Sequence, residues 1–423
     1  MEEFNSMPLK EELISSLRNA GLISPTDVQE ESIPIILEGK DVAVRAKTGT
    51  GKTGAFVIPI IQRILENPEP LSAIILEPTR ELSLQVFGVI RSIGRPLRIS
   101  TAIVYGGVGI NPQINAIRNG PNIIVGTPGR VIDLMKRGVL NLNKIKFFVL
   151  DEADLMFDMG FIDDIEYILS KTPDSKQLML FSATLPKPIM LIAEKHMKQD
   201  KQMIIVGKEE EITASGITHL YAVASGQTKV ATLLAYIEHY KPTKCIIFTR
   251  TKFGAEKLYN MLEHYGLNVI HLHGGMTQSR RESSLNKFRG SAQFMISTNV
   301  AARGLDISDV SDIINFDAPD EPRIYVHRVG RTARMYKEGR AFTIFLTNQR
   351  GVISDIERNS NIRLQEINLD ISNIDQSKFK AYETDFYSHP KPYNFNSNRE
   401  HSGPHFNGNR RHGYRRWNKR DNK

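Results

Sequence analysis

The feature of this sequence that most limits its fold is a long alternation of short apolar runs with helical stretches. Continuous apolar runs of this kind are typical of strands buried on both faces of a parallel sheet. Strand–helix alternation over this length predicts an α/β fold with parallel sheets. The runs lie at residues 41–46, 73–77, 99–104, 122–125, 147–150 and 177–181 and, after a break, at 219–223, 244–248, 268–272, 292–297, 312–315 and 341–346.

The break separates two series of strands, as expected for 423 residues, which are too many for one ordinary core. A charged, small-residue stretch at 208–216 interrupts the periodicity and is typical of a linker. We therefore predict one domain at 1–207, a second at 217–366 and an extension at 367–423. Hydrophobic residues at 40% and charged residues at 24% are ordinary for soluble globular proteins.

The positive charge of the chain is concentrated at its C-terminal end. The formal charge is +8, and residues 386–423 contain nine Lys or Arg against two acidic residues, a net of +7. The same segment contains seven aromatic residues and no Ile, Leu, Val or Met, so it cannot bury enough apolar surface to fold. We expect a disordered tail from about residue 386, and its charge favours a polyanionic partner.

Cysteine content and the N-terminus bear on location. The one cysteine, Cys245, excludes an intramolecular disulfide, and its apolar neighbours predict a buried strand position. No export signal or run of about 20 apolar residues is present. His273 has no Cys/His cluster beside it, so we predict a packing role for it and no structural metal. We expect a cytoplasmic monomer without membrane contact.

A glycine-rich loop follows the first apolar run. The segment at 46–53 reads Ala-Lys-Thr-Gly-Thr-Gly-Lys-Thr and leads into an apolar helical stretch. In a strand–loop–helix unit of this kind, backbone N–H groups and the helix N-terminus cradle phosphates. Lys52 would pair with the β- and γ-phosphates and the Thr53 hydroxyl would hold Mg²⁺. Ala46 stands where the strict motif has glycine. The loop residues predicted to surround the nucleotide are Thr48, Gly49, Thr50, Gly51, Lys52 and Thr53.

Carboxylates follow the run at 147–150, which ends in Asp151-Glu152-Ala153-Asp154. This places them at the C-terminal edge of a parallel sheet, where open α/β sheets bind ligands. We predict that Asp151 holds Mg²⁺ through water and that Glu152 orients and deprotonates the attacking water. The structural alternative is a helix N-cap with an acidic first turn.

These motifs, in this order and spacing, resemble those of the DEAD-box RNA helicases, a branch of helicase superfamily two. The resemblance covers roughly residues 4–346 and implies two tandem RecA-like domains. Upstream of the loop, the segment at 21–29 resembles the adenine-reading motif of the family. The resemblance implies that Gln29 hydrogen-bonds adenine, that Phe4 stacks on its ring and that Thr26 supports the phosphate loop. For Phe4 alone, a core position is the alternative.

Further segments resemble the contacts of the family with the RNA backbone. Each is small, polar or basic and follows an apolar run, a composition that can hold phosphates without reading bases. Gly106-Gly107 could also be a simple turn. The implied RNA-binding residues are Pro78, Thr79, Arg80, Gly106, Gly107, Thr127, Pro128, Gly129 and Arg130 in the first domain and Thr251, Gln278, Arg281 and Thr298 in the second.

The remaining motifs couple the two domains. Ser182-Ala183-Thr184 resembles the motif that links nucleotide state to RNA, and His327 is implied to bridge to the first domain. Gly304 and Asp306 would meet ATP from the second domain. Arg331 and Arg334 would approach the γ-phosphate, with Arg334 as the arginine finger. They are three residues apart, so on a helix they would share a face. Asn299 and Ala333 depart from the commoner Asp and Gly.

The sequence therefore predicts an ATP-dependent RNA helicase that uses ATP and Mg²⁺ and acts on single-stranded and duplex RNA. A DNA-duplex translocase of the same superfamily is one alternative. An ATP-gated RNA clamp with incidental hydrolysis is another. In the tail, Tyr414 and Trp417 lie among arginines, which suggests that the tail tethers RNA. The alternative is a tail that only improves solubility.

Overall fold

A computed structural model describes residues 4–46, 49–207, 216–302, 310–332 and 338–375. All twelve predicted strands are present within a few residues of their expected bounds. Two further strands, β7 and β14, are short edge strands that were not among the twelve predicted strands. The strands are β1 Val42–Arg45, β2 Ala73–Leu76, β3 Thr101–Val104, β4 Ile123–Gly126, β5 Phe147–Leu150, β6 Gln177–Ser182, β7 Gln202–Ile205, β8 Ile217–Ala224, β9 Cys245–Thr249, β10 Val269–Leu272, β11 Phe294–Thr298, β12 Asp312–Asn315, β13 Gly339–Leu346 and β14 Gln365–Glu366.

Helices connect the strands and cover both faces of each sheet. Two short 3-10 helices, Phe4–Ser6 and Thr347–Gln349, complete the described elements. The α-helices are α1 Glu11–Asn19, α2 Asp27–Leu37, α3 Lys52–Glu66, α4 Arg80–Gly94, α5 Asn111–Arg118, α6 Pro128–Lys136, α7 Ala153–Asp158, α8 Ile162–Leu169, α9 Lys187–His196, α10 Lys229–Tyr240, α11 Lys252–His264, α12 Gln278–Arg289, α13 Asn299–Ala302, α14 Pro322–Val329 and α15 Arg350–Ser360.

The two halves of the chain each form a seven-stranded parallel sheet. The first has the strand order β3-β4-β2-β5-β6-β1-β7 and the second β10-β11-β9-β12-β13-β8-β14. Counted from the first strand of each half, both orders read 3-4-2-5-6-1-7. The same topology therefore occurs twice, which confirms the predicted pair of RecA-like α/β domains.

Each sheet separates two apolar layers because successive strand residues point to opposite faces. In β1, Val42 and Val44 join one buried cluster and Ala43 joins the other. In β9, Cys245 and Ile247 face one layer and Ile246 the opposite layer. Cys245 is buried, as predicted. This two-sided burial explains why the strands read as continuous apolar runs.

Within the described residues, no helix combines the length and apolar character needed to cross a membrane. The proposed linker is described only at Gly216, since residues 208–215 lie outside the described ranges. The same is true of the tail from residue 376 onward, which includes the segment expected to be disordered.

Candidate nucleotide and nucleic-acid site

The phosphate loop forms the predicted strand–loop–helix turn. Gly49 and Gly51 have φ of +83° and +94°, in the left-handed region that favours glycine. A Cβ on Gly51 would lie only 2.6 Å from the Thr26 Oγ1, so this position also needs glycine for space. Helix α3 begins at Lys52 and points its N-terminus at the loop, an arrangement suited to phosphate. Thr48 lies outside the described residues.

Lys52 reaches across the loop to the acidic end of β5. Its Nζ donates a 3.0 Å hydrogen bond to Oε1 of Glu152, and the two side chains are only 5% and 14% exposed. Burial alone would lower the pKa of Lys52, but the charges of Glu152, Asp151 and Asp154 outweigh it and raise that pKa. The lysine is therefore a buried cation matched to carboxylates until a phosphate competes for it.

Glu152 has an uncommon backbone conformation, with φ of 48° and ψ of 49°. Left-handed geometry in a residue other than glycine is uncommon and concentrates at functional sites. Glu152 occupies the N-cap position of α7 but its side chain makes no capping hydrogen bond. The backbone of Glu152 is thus at a helix N-cap, which was the alternative interpretation of this segment. Its carboxylate is turned toward Lys52 instead of capping the helix.

Asp151 lies beside this pair and is buried. Its Oδ1 accepts a 2.9 Å hydrogen bond from the Glu152 N–H. Burial raises the pKa of Asp151 to about 7, and only part of that effect is offset by the charge of Lys52. The carboxylate of Asp151 and the hydroxyl of Thr53 are oxygen donors of the kind that Mg²⁺ uses together with phosphate oxygens and water. Within the described ranges, no three His, Cys, Asp or Glu side chains are grouped closely enough to hold a metal ion unaided.

The adenine-reading motif is joined directly to the phosphate loop. The Gln29 amide donates to the Gly51 carbonyl at 2.9 Å and accepts from the Thr26 N–H at 3.1 Å. Thr26 and Gln29 form the capping box at the start of α2. An open cavity of about 690 Å³ beside them is lined by Ser24, Pro25, Thr26, Asp27, Val28, Glu30, Thr50 and Val206.

Phe4 is only 2% exposed and belongs to the apolar cluster on this side of the first sheet. The structure therefore places it as the core residue that the sequence allowed as the alternative. Its stacking on adenine stays a prediction, and it requires one face of the ring to become accessible.

Asp154 forms the centre of a polar network that spans both domains. Its Oδ2 accepts hydrogen bonds from the backbone N–H and the hydroxyl of Thr184, both at 2.9 Å, and its own N–H donates to Ser182 Oγ at 3.1 Å. From the second domain, His327 Nε2 lies 3.9 Å from the same Oδ2. Burial would raise the pKa of Asp154, but the charges of His327 and Lys52 and these hydrogen bonds lower it.

The predicted RNA-binding segments of the first domain lie next to one another. Thr79 and Thr127 are the N-cap residues of α4 and α6, so both helix N-termini open on this edge of the sheet. The Arg80 guanidinium lies 4.4 Å from the centre of the Tyr105 ring, which precedes Gly106. Arg130 donates to the Val108 carbonyl at 3.1 Å. Three segments far apart in sequence thus meet; they contain Pro78, Gly106, Gly107, Pro128 and Gly129.

The predicted RNA contacts of the second domain also lie where strands end and helices begin. Thr251 is the N-cap of α11 and accepts from Gly254 N–H at 2.9 Å. Gln278 opens α12, and Thr298 ends β11. This edge therefore has the same construction as the predicted RNA-binding edge of the first domain.

Two ion pairs join these surfaces across the domains. Arg281 donates to Glu81 Oε1 at 3.0 Å, and Arg80 donates to Glu282 Oε1 at 2.5 Å. Each predicted RNA-binding arginine thus pairs with the glutamate that follows the other arginine in sequence. Glu81 and Glu282 are not among the site residues predicted from the sequence. The sequence signal that could have identified them is that each follows one of the two arginines directly.

The arginine motif of the second domain begins on a helix and continues beyond its end. Helix α14 ends at Val329, and the Arg331 N–H bonds to the Arg328 carbonyl in a tight turn after Gly330. Arg331 therefore lies beyond the helix, because the chain leaves it at glycine, a poor helix former. The shared face of Arg331 and Arg334 stays a prediction. Arg331 is mostly buried and lines a small cavity with His327. Arg334, Gly304 and Asp306 lie outside the described residues.

Asn299, which departs from the commoner Asp, keeps a polar contact. Its Oδ1 accepts a 2.6 Å hydrogen bond from Arg328 Nε. The same guanidinium donates to Asn315 Oδ1 and the Asp317 carbonyl. A neutral acceptor thus replaces an ion pair at this position. His273 is buried, with Nε2 3.1 Å from Glu256 Oε1, which agrees with the predicted packing role.

Two family models match this chain. The DEAD/DEAH box helicase model covers residues 26–192, and the helicase conserved C-terminal domain model covers residues 228–336. Among similar curated proteins, the DEAD-box ATP-dependent RNA helicase CshA of Bacillus cereus is 39% identical over 89% of this chain and 71% of its own length. CshA of Bacillus subtilis is 40% identical over 86% of this chain and 74% of its own length.

Solved structures of helicases also resemble the fold. S. cerevisiae Dbp5 bound to RNA and ADP BeF3 has a TM-score of 0.78 and 30% identity, over 91% of this chain and 99% of that one. The DEAD-box helicase Mss116 bound to ssRNA and UDP-BeF has a TM-score of 0.80 and 28% identity, over 90% of this chain and 83% of that one. These matches agree with the phosphate loop, the acidic strand end and the paired parallel sheets, and the chain belongs to the family of DEAD-box ATP-dependent RNA helicases.

Proposed function

We propose that this protein binds ATP and RNA between its two domains, hydrolyses ATP when both are bound, and thereby opens short RNA duplexes or remodels RNA–protein complexes. The observation that carries the proposal is the pairing of groups across the domains. His327 of the second domain approaches Asp154 on the nucleotide side, and Arg281 binds Glu81 on the RNA side. Closure therefore completes both sites together.

On the nucleotide side, the triphosphate replaces Glu152 as the partner of Lys52. The exchange keeps the buried lysine neutralised and frees Glu152 to orient and deprotonate the attacking water. Thr26 and Gln29 hold the loop, and Gln29 reads the adenine edge. Thr53 and Asp151 hold Mg²⁺, which neutralises charge on the phosphates when bound. Arg331 and Arg334 supply positive charge at the γ-phosphate, and Gly304 and Asp306 meet the nucleotide from the same domain.

On the RNA side, helix N-termini and arginines hold phosphates. The N-terminus of a helix carries partial positive charge and free N–H groups, which suit a phosphate without regard to the base. Contacts of this type position the strand and do not read sequence. We therefore propose largely sequence-independent binding of single-stranded RNA, with duplex RNA opened locally as the domains close.

Asp154 links the two sides. It is hydrogen-bonded to Ser182 and Thr184, and it is three residues from Asp151 in sequence. A movement of Asp151 on nucleotide binding would therefore be passed to Asp154 and from there to its contact with His327. If ATP and RNA both favour the closed state, each must raise the affinity for the other by the same factor. We infer that this network carries that coupling.

Several finer assignments belong to the same proposal. We place the first domain at 1–207, the linker at 208–216, the second domain at 217–366 and the basic extension at 367–423. The protein acts as a monomer in the cytoplasm, with no structural metal. Low cysteine content and the paired half-sites within one chain support these assignments.

Separation of a short RNA duplex tests the proposal. A fluorescently labelled duplex with a single-stranded overhang is mixed with the protein and ATP, and the released strand is followed. The proposal predicts release that requires ATP and multiple turnovers, with a DNA duplex of the same sequence released much less. Equal release of DNA favours a duplex translocase. RNA binding that depends on ATP without strand release or turnover favours the ATP-gated clamp.

A further inference from the structure

Glu77 has no role in the nucleotide site described so far. It follows β2 directly, and β2 pairs with β5 in parallel with Leu76 opposite Leu150. Glu77 is therefore level with Asp151 on the neighbouring strand. Ile75 and Val149 both face the apolar layer that contains α3, and strand alternation places Glu77 and Asp151 on that same side.

The carboxylate of Glu77 is completely buried, at 0% exposure. Neither Oε1 nor Oε2 accepts a hydrogen bond from any described part of the protein. A buried carboxylate without partners is strongly unfavourable, and such a group in a folded protein needs a role that supplies the missing partners. Packing alone does not explain it, because an apolar side chain would fill the same space without that penalty.

The neighbours of Glu77 show where such partners could come from. Burial, followed by the negative charges of Asp151 and Glu152, raises the pKa of Glu77 well above its usual range, and only Lys52 acts in the opposite direction. Lys52 is already bonded to Glu152. The nearest cation is therefore already engaged, and the Glu77 carboxylate has no hydrogen-bond partner among the described residues.

We propose that Glu77 is a positioning residue for the Mg²⁺ of the ATP site, and that its carboxylate accepts hydrogen bonds from water molecules bound to that ion beside Asp151. The inference rests on the proposed function, since it requires an ATP site that takes Mg²⁺. Mg²⁺ dehydrates reluctantly and is usually held by one or two carboxylates, phosphates and several waters. Those waters need acceptors, and Glu77 offers two unused oxygens at the adjacent strand end.

The proposal separates Glu77 from a purely structural residue. Outer groups that hold metal-bound ligands typically change metal affinity by roughly 10–100-fold when removed. A structural residue would change the stability of the fold and leave the metal affinity alone. The affinity for Mg²⁺ in the nucleotide complex is therefore the quantity to measure, and it does not depend on hydrolysis.

The experiment uses the full chain and fluorescent N-methylanthraniloyl ADP. The dissociation constant of this nucleotide is measured in EDTA and then across a Mg²⁺ titration for wild type, Glu77→Gln and Glu77→Ala. We expect both variants to bind the nucleotide in EDTA no more weakly than wild type and to need roughly 10–100-fold more Mg²⁺ to reach the tight complex. A Mg²⁺ midpoint within twofold of wild type in a folded Glu77 variant would overturn the proposal, whatever its unfolding temperature.

Two further variants serve as controls for this experiment. Asp151→Asn tests the site itself and should weaken the Mg²⁺ response further than Glu77→Gln does. Glu31→Gln, which removes one exposed charge from α2 of the same domain, should match wild type. If wild type binds the nucleotide equally with and without Mg²⁺, the proposed Mg²⁺ site fails and the role of Glu77 fails with it. If only the Glu77 variants are unaffected, the role of Glu77 alone is refuted.

Discussion

Lys52 Nζ and Glu152 Oε1 lie 3.0 Å apart at the end of the first sheet, so the proposed phosphate-binding cation and the proposed catalytic base neutralise each other. Both side chains are mostly buried, and neither can leave the pair without a replacement. In the proposed function, the γ-phosphate end of ATP replaces the carboxylate. Nucleotide binding and release of Glu152 are then one exchange of partners.

This pair leads to the first prediction. Glu152→Gln should lower the turnover of ATP by roughly 10²–10⁴-fold, because the amide cannot accept the proton of the attacking water. The same variant should bind ATP and RNA at least as well as wild type, because Lys52 no longer has a charged competitor. Turnover is measured by phosphate release and binding by fluorescence titration.

Glu166→Gln is the matched control. Glu166 pairs with Lys195 and His196 on an exposed face of the first domain, away from the loop. This substitution should change turnover by less than about twofold, since exposed ion pairs contribute about 1 kcal/mol or less. Turnover of Glu152→Gln near that of wild type would refute the assignment of Glu152 as base.

The ion pairs between the domains yield the second prediction. Glu282 is half-exposed and holds Arg80, which the proposed function assigns to an RNA phosphate. Glu282→Gln should therefore strengthen binding of single-stranded RNA a few-fold. Arg80→Gln should weaken it and reduce the slope of log affinity against log salt by about 0.7, the value for one phosphate contact.

The control for this prediction is Glu263→Gln. Glu263 lies on α11 and bonds to Tyr259, and its substitution removes the same charge from the same domain. RNA affinity should then stay close to wild type. If Glu282→Gln and Glu263→Gln act alike, long-range charge and not release of Arg80 explains the effect.

The third prediction concerns stability and pH. His219 on β8 lies with Nδ1 2.7 Å from the Tyr325 hydroxyl on α14. Burial lowers the pKa of His219 to about 4 from an ordinary value of 6.5. Because the unfolded chain takes up this proton more readily, the stabilising effect of a neutral His219 is full above pH 6.5 and is lost as the pH falls toward 4.

Chemical denaturation between pH 7.5 and 4.5 checks this sign. In wild type, His219 should contribute a loss on the order of 1–3 kcal/mol across that range. His219→Gln removes the titrating group, so the difference in unfolding free energy between variant and wild type should narrow as the pH falls. His271 and His273 titrate in the same direction and are unchanged in both proteins, so they cancel. A difference that stays constant with pH contradicts the assignment.

The fourth prediction concerns the basic tail. If all nine of its Lys and Arg residues contact phosphates, a chain that ends at Asp385 should lose at most about 6 from the salt slope of single-stranded RNA binding. The domains carry a net charge close to zero, so most non-specific attraction to RNA is expected from the tail. Unchanged affinity and slope in the truncated chain would show that the tail only improves solubility.

Much of this architecture could be read from the sequence because it depends on local patterns. All twelve apolar runs are strands, since burial on both faces leaves a signal in each run by itself. The loop around Gly51 was predictable because its glycines meet a local requirement of the backbone. The edge strand β14 was not, because its two residues, Gln365 and Glu366, are polar and exposed. The strand β7 carries an apolar run at 203–206 but lies outside the twelve predicted strands, and most of its residues are not fully buried.

The parts of the site that could not be predicted depend on contacts between distant residues. The sequence shows Glu81 beside Arg80 and Glu282 beside Arg281, but it does not show that each carboxylate binds the arginine of the other domain. The isolation of Glu77 is equally invisible, since it depends on the register of β2 and β5. The end of α14 before Arg331 is set by Gly330, and the spacing of the two arginines does not show it.

The central claim is that RNA and ATP favour the same closed state, in which the second domain completes the nucleotide site. Steady-state ATP hydrolysis with and without saturating single-stranded RNA tests it most directly. The account predicts that RNA increases the rate at least tenfold in wild type, and that His327→Ala loses most of this increase because the contact with Asp154 is removed. An equal rate of ATP hydrolysis with and without RNA in the wild-type protein would contradict the account.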